Sequence, residues 1–418
     1  MQGMEYRPRI VDQELRTQLG YAGAVVIDGP KSCGKTATAR RVATSEVRLD
    51  VDRAAQQLAL IDPALLLEGD VPRLIDEWQI VPEIWNHVRR AVDDRSRPGQ
   101  FVLTGSATPS DDITRHSGAG RFAYLRMRPM SLFESGASTG AASLSALLAG
   151  GATRTTDPGL SLDDLIAAVV RGGWPQLLDV DLTAAAKSVR DYVERIRRTD
   201  ISAVDGVRRD PARVGAVLAS LARNIGTQAP LTQIADDASG RSLRVSDETV
   251  GTYIDALERL MLVEQVEGWN VHLRSRHRLQ ATPTRQFVDP SIAVAALRAR
   301  PEQLRRDPNY LGFLFESLVI RDLRVYAQPL GGEISRYRDK EGREIDAIVD
   351  CGDRWAAFEV KLGVGQIEQA ATQLRRIVDD IDTAKSGEPA LLGVIVANGY
   401  GYVRPDGIHV IPIGTLGP

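Results

Sequence analysis

The chain has 418 residues, 43% of them hydrophobic and 26% charged, with a formal net charge of −3. At about 150 residues per domain this suggests roughly three globular units and excludes a disordered chain, a collagen or a coiled-coil rod. Near-neutrality excludes a polycation, so any nucleic-acid contact must be a local patch. Two cysteines, Cys33 and Cys351, exclude a disulfide framework, and five scattered histidines supply no zinc cluster. The longest apolar run, Ala390–Ala397, is far short of the about 20 residues that span a bilayer, and the polar N-terminus has no apolar signal core. These features predict a soluble cytoplasmic protein with no membrane partner.

Residues 1–160 alternate short apolar strands (Ala24–Ile27, Val47–Val51, Arg73–Ile75, Phe101–Leu103) with helical stretches, which predicts a parallel α/β sheet. Within them, Ser135–Thr156 has 18 of 22 residues Gly, Ala, Ser or Thr and reads as a loop or loosely ordered insertion. Residues 161–225 read as a helical region, punctuated by a tight turn at Arg171–Pro175. Residues 226–299 read as a winged helix and connector. Its nominal recognition helix, Ser246–Leu260, carries Asp247, Glu248, Asp255 and Glu258 against Arg259, poor chemistry for a phosphate-lined groove. The next segment is basic, with Arg274, Arg276 and Arg278 among its residues, so a DNA contact is expected there through phosphates. Packing between domains is the other use of such a module. Residues 300–418 run helix, strands, helix, strand and predict an α/β unit.

The segment Gly29-Pro30-Lys31-Ser32-Cys33-Gly34-Lys35-Thr36 fits G-x-x-x-x-G-K-[ST] between a strand and a helix. Backbone N–H groups and the helix N-terminus would close around phosphate oxygens, Lys35 would reach the β and γ phosphates, and Thr36 would ligate Mg²⁺. Asp76 and Glu77 follow an apolar strand 40 residues later and fit a Mg²⁺-shell carboxylate and a water-polarising base. Thr104 and Ser106 end another strand and either hydrogen-bond the γ-phosphate or cap a helix. The Cys33 thiol is either oxidisable or a packing group.

In the C-terminal unit, Glu316 lies on a helix, Asp346 on a strand, and Glu359 and Lys361 on one face of the next strand. Hard oxygen ligands suit Mg²⁺ or Mn²⁺ at Glu316, Asp346 and Glu359, with Lys361 holding a nucleophilic hydroxide. Residues 300–418 hold 15 Lys and Arg against 18 Asp and Glu, so the unit is not basic, and the same residues could be retained for structure alone.

Lys31–Thr36, LIDEWQ and FVLTGSA together resemble the Walker A, Walker B and sensor segments of AAA-type ATPases. More closely, the set resembles a prokaryotic group of AAA ATPases with a helical lid, a winged helix and a C-terminal PD-(D/E)XK restriction-endonuclease-like domain. SGAGR121, MRPMSLFE134 and RGGWP175 are further landmarks of that group. The resemblance implies an α/β multidomain protein that binds ATP and Mg²⁺, assembles as a homo-oligomer, and completes its site with an arginine finger, Arg121 being favoured. It also implies that the nucleotide cycle controls a nuclease-like domain on DNA. The other expectation is a nucleotide-switched interaction protein with a protein partner and a non-catalytic C-terminal domain.

Overall fold

The computed structural model describes residues 5–105, 118–240, 244–269 and 283–418. The N-terminal layer is a five-stranded parallel sheet of β1 (Ala24–Asp28), β2 (Ser45–Arg48), β3 (Arg73–Asp76), β4 (Phe101–Gly105) and β5 (Phe122–Arg126), in the order β2-β3-β4-β1-β5. Fully buried runs such as Val25–Ile27 and Val102–Leu103 are what a parallel sheet covered on both faces requires. The register decides function: Ile27 aligns with Thr104 and Asp76 with Thr104, so β1, β3 and β4 end at one edge. β5, which the apolar runs do not announce, closes the other side of β1. Its outward carbonyls do not stand open, because Gln18 donates to Tyr124 O and Gln328 to Arg126 O.

The expected loose insertion is ordered. Ser131 and Glu134 form a capping box on Leu132–Ser135, a signal already present as S-x-x-E. Leu144, Leu147 and Leu148 then recur at helical spacing and are buried. The short strand β6 (Ala142–Ser143) pairs with the chain's last strand. Three leucines outweigh a small-residue composition.

Helices Leu162–Arg171, Leu182–Arg195 and Pro211–Arg223 follow, with a π-turn at Ile196–Asp200. Next come helices Leu231–Ala238 and Asp247–Arg259 and an antiparallel pair, β7 (Val263–Val266) and β8 (Thr284–Phe287). The helices Pro211–Arg223, Leu231–Ala238 and Asp247–Arg259 pack on one another and, with the β7–β8 ribbon, form a three-helix and ribbon module. Arg274, Arg276, Arg278 and Ser106 lie outside the described residues.

A 20-residue helix, Pro308–Ala327, leads into a six-stranded sheet. It contains β9 (Glu333–Arg338), β10 (Glu344–Asp350), β11 (Trp355–Lys361), β12 (Leu391–Val396), β13 (Tyr402–Val403) and β14 (His409–Pro412), in the order β13-β14-β12-β11-β10-β9. β9 to β11 are antiparallel, and β11, β12 and β14 run parallel. The helix Ile367–Asp379 covers one face and Pro308–Ala327 the other. The last strand, β15 (Leu416–Gly417), is the one that joins β6. One buried apolar cluster runs from Leu132 to Leu416.

Buried ions fix how these layers meet. Arg321, on the long helix, pairs with Asp289 at 2.9 Å and Asp322 at 2.7 Å, all three essentially without solvent contact. Asp289 also accepts from Gly173 N, and Asp322 from Leu132 N. Replacing one partner of such a set leaves the others charged in a low dielectric. Arg321→Ala is therefore expected to lower stability by about 3–5 kcal/mol, read as a lower urea midpoint, whereas Arg305→Ala at the exposed pair with Asp163 moves it little.

Candidate functional site

The loop Gly29–Thr36 leaves the C-terminal end of β1 and turns into the helix Lys35–Ala39. Gly34 has φ +107 and Ser32 φ +66, left-handed positions that fold the backbone into a cradle. A Cβ on Gly29 would stand 2.4 Å from Met127 O, so glycine is needed for close approach there. Lys35 Nζ donates to the carbonyls of Gly29 and Pro30, each at 2.8 Å, and is buried. Thr36 Oγ1 donates to Asp76 Oδ1 at 2.8 Å, and Thr104 Oγ1 donates to the same oxygen at 2.5 Å. Lys35, Thr36, Asp76 and Thr104 thus converge at one sheet edge. Burial pushes the Asp28 carboxyl at the end of β1 up from its ordinary range, with Arg126 and Lys35 pulling the other way. Glu77, next to Asp76, has φ +55 and accepts from Gln79 Nε2, a short turn that sets its carboxylate direction.

Arg121 is not brought to this edge. It precedes β5, whose Phe122 aligns with Ala24 at the start of β1, so it sits at the opposite end of the sheet. There it pairs with Asp93 at 2.7 Å. A role for Arg121 within its own subunit's site is excluded by that register. Cys33 is buried, which favours the packing role over an exposed redox one.

Several residues around the loop escape sequence reasoning. Arg9 is buried against Glu134 at 3.0 Å and donates to Cys33 O and Arg128 O, each at 2.8 Å. Lys31 reaches Asp200 in the π-turn at 2.9 Å, and Pro175 of RGGWP lies 3.7 Å from where a Gly34 Cβ would stand. These partners are 24 to 169 residues apart, so only the capping-box Glu134 and the Gly-Gly-Trp-Pro turn left a local signal.

The second constellation assembles on β10, β11 and the long helix. Lys361 Nζ lies 3.0 Å from Asp346 Oδ2 and 2.7 Å from Glu359 Oε2. Asp346 Oδ2 also accepts from Val360 N at 2.8 Å. Arg336 on β9 lies 3.6 Å from Glu316 and 3.8 Å from Asp346. Burial, with Asp346 adding like charge, pushes Glu316 up to about 8, and the same two causes push Glu359 up to about 8. Glu359 Oε1 is buried without a hydrogen-bond partner. The four residues therefore do meet. Yet among the described residues no group of three or more His, Cys, Asp or Glu is arranged to hold a metal ion. Lys361 and Arg336 stand between the carboxylates.

Residues 22–135 match an AAA domain family, 162–303 a domain of unknown function, DUF8612, and 311–416 a second one, DUF4143. The uncharacterised proteins Mb2031c of Mycobacterium bovis and Rv2008c of Mycobacterium tuberculosis are each 26% identical over 353 residues, covering 83% of this chain and 72% of theirs. The Walker-type ATPase paby2304 of Pyrococcus abyssi covers 70% of this chain and 99% of its own at 14% identity, with a TM-score of 0.43. The AAA-family match covers β1 to β5, the sheet that carries the Gly29–Thr36 loop.

The raised carboxyls have a pH consequence. In the unfolded chain Glu316 and Glu359 ionise near the ordinary glutamate range, whereas in the fold they hold protons up to about pH 8. The folded state thus binds more protons between those limits, and their contribution to stability falls as pH rises from about 4.5 to 8. Comparing urea midpoints across this window, Glu316→Gln should show a shallower decline than the wild type. An identical slope would contradict the raised value.

Proposed function

We propose that this chain is a Mg²⁺-dependent ATPase whose nucleotide cycle governs the C-terminal sheet. The observation that carries the reading is Asp76 Oδ1 shared by Thr36 and Thr104 beside the Lys35 loop. An oxygen set of this kind suits a hard, octahedral cation. Thr36 and Asp76 would hold Mg²⁺, which neutralises charge on the β and γ phosphates when bound. Lys35 turns its donors from the Gly29 and Pro30 carbonyls to those phosphates. Gly29 to Gly34 supply backbone N–H donors at the helix N-terminus. Thr104 fixes Asp76, and Ser106 is proposed to act near it. Glu77 takes the proton from the attacking water as the oxygen bonds to the γ phosphorus and the bridge to ADP breaks.

Arg121 acts, in this reading, across a subunit contact in a homo-oligomer, because its own sheet edge is out of reach. Mixing Arg121→Ala with Lys35→Ala subunits should restore part of the hydrolysis lost by each alone. A fully active monomer would refute the trans role. Lys35→Ala should abolish nucleotide binding, measured with a fluorescent ATP analogue. Glu77→Gln should retain binding while turnover falls by about 10²-fold; wild-type turnover would place the base elsewhere.

The finer half of the proposal is a nuclease-like activity on DNA. It is supported by the convergence of Glu316, Asp346, Glu359 and Lys361 and by the partnerless Glu359 oxygen. Arg274, Arg276 and Arg278 would supply phosphate contacts. Lys361→Ala should abolish any plasmid nicking in Mn²⁺ while ATP hydrolysis continues. If the wild type cuts neither DNA nor RNA, the C-terminal unit is a non-catalytic module, and stimulation of the ATPase by a protein partner becomes the expected behaviour.

A further inference from the structure

The C-terminal carboxylates pose a contradiction. Three acids converge, one oxygen of Glu359 lacks any partner, and still no ready cation cage exists among the described residues. Lys361 already bridges Asp346 and Glu359, and Arg336 is a second cation set among the acids. Arg336 is 8% exposed, and its guanidinium faces Glu316 and Asp346 while pairing with Glu344 at 2.9 Å. Its Nε is itself buried and without a partner. The ladder between β9 and β10 slips by one residue there. Ile345 pairs with Tyr337 and Ile348 with Ser335, leaving Asp346 and Ala347 together opposite Arg336. Such a bulge re-aims side chains locally. Here the Arg336 guanidinium lies within 4 Å of the bulged Asp346.

Arg336 is also the residue gripped from outside. Its N–H donates to Glu267 O at 2.9 Å, and its carbonyl accepts from Trp269 N at 2.6 Å. Both partners belong to the strand that leaves the three-helix and ribbon module. Its guanidinium donates to Gly226 O in the same module. Gly226 has φ +74, a left-handed position that favours glycine. Trp269 anchors this strand by stacking on Trp355 with centroids 4.6 Å apart and donating to Asp350 at 2.9 Å.

We propose that Arg336 is a built-in cation that keeps the carboxylate cluster closed, clamped by the segments 226 and 267–269, and that freeing it admits a divalent cation. A guanidinium and a metal ion cannot share this space, because two unscreened positive charges a few ångströms apart repel strongly in a buried site. The clamp residues lie in the module that follows the lid, so a movement of that module changes access to the cluster without any change in the carboxylates themselves. This rests on the nuclease-like reading only in requiring that the cluster take a divalent cation.

The test is Mn²⁺ calorimetry on the full-length, nucleotide-free protein, counting only the binding that Glu359→Ala removes. Arg336→Gln should tighten that binding by about tenfold or more, the scale on which groups behind the ligands tune metal affinity. Trp269→Ala, which loosens the clamp but keeps Arg336, should tighten it less. Thermal melting checks that each variant is folded, and if Arg336→Gln is not, Trp269→Ala decides. Equal Glu359-dependent binding in wild type and variants overturns the closing role and leaves the metal site standing. Absence of Glu359-dependent Mn²⁺ binding from all of them overturns both.

Discussion

The Arg9–Glu134 pair is where the nucleotide loop is fastened to the rest of the molecule. A guanidinium with almost no solvent exposure must spend its donors on protein acceptors or pay the cost of an unpaired buried charge. Arg9 meets this with Glu134, Cys33 O in the phosphate loop and Arg128 O after β5. Glu134 in turn accepts from Ile10 N and Ser131 N, so the same carboxylate caps a helix and orders the chain's first helix. Next to it, Leu132 N reaches Asp322 and Phe133 N reaches Tyr326 on the long C-terminal helix. The phosphate loop and the C-terminal unit are thus two or three hydrogen bonds apart, although some 290 residues separate them in sequence.

What the sequence made legible follows from range. The phosphate loop, Asp76, Thr104 and their strands were readable because each is a local pattern of apolar run, turn and polar residue. Their convergence was readable because a parallel sheet must end its strands at one edge. Strand alternation placed Glu359 and Lys361 on one face, and the resemblance to the PD-(D/E)XK set added Glu316 and Asp346 to them. Residues acting through partners far along the chain gave no such signal. Arg9, Asp200 and Arg336 are ordinary charges in sequence, and only pairing with an opposite charge on another element gives them meaning. The position of Arg121 has a related cause. Lying beside a familiar segment says nothing about which end of the strand a residue occupies, and here β5 runs parallel to β1 and leaves Arg121 at the end away from Lys35. The Ser135–Thr156 stretch failed because composition averages over three leucines that a helix places together.

Glu264 shows the same logic at the seam between the N-terminal sheet and the C-terminal unit. Burial alone would raise its carboxyl, but Arg128, Arg324 and Arg126 outweigh that and hold it well below the usual range. The pairs at 3.1 Å to Arg128 and 3.5 Å to Arg126 join β7 to the end of β5. Glu264 therefore stays ionised, and any rotation of the ribbon away from the sheet must break ion pairs with almost no water to replace them. A seam of this kind resists gradual sliding and favours one of a few discrete arrangements.

The long helix Pro308–Ala327 links these observations mechanically. Glu316 enters the carboxylate cluster, Asp322 receives the turn that Glu134 caps, and Arg324 binds Glu264. Glu316 and Asp322 are six residues apart, about 9 Å along the axis at 1.5 Å per residue. At that spacing they lie on different faces, so one rigid rod carries a group to each site. Transmission through such a rod needs an element with two stable states, since contact alone transmits nothing. Arg336 has the required character. It is charged, buried, imperfectly partnered through Nε, and held by backbone bonds from a separate module. Arg321, on this rod, has every donor paired and is built to stay, whereas Arg336, which reaches Glu316 from β9, is built to move.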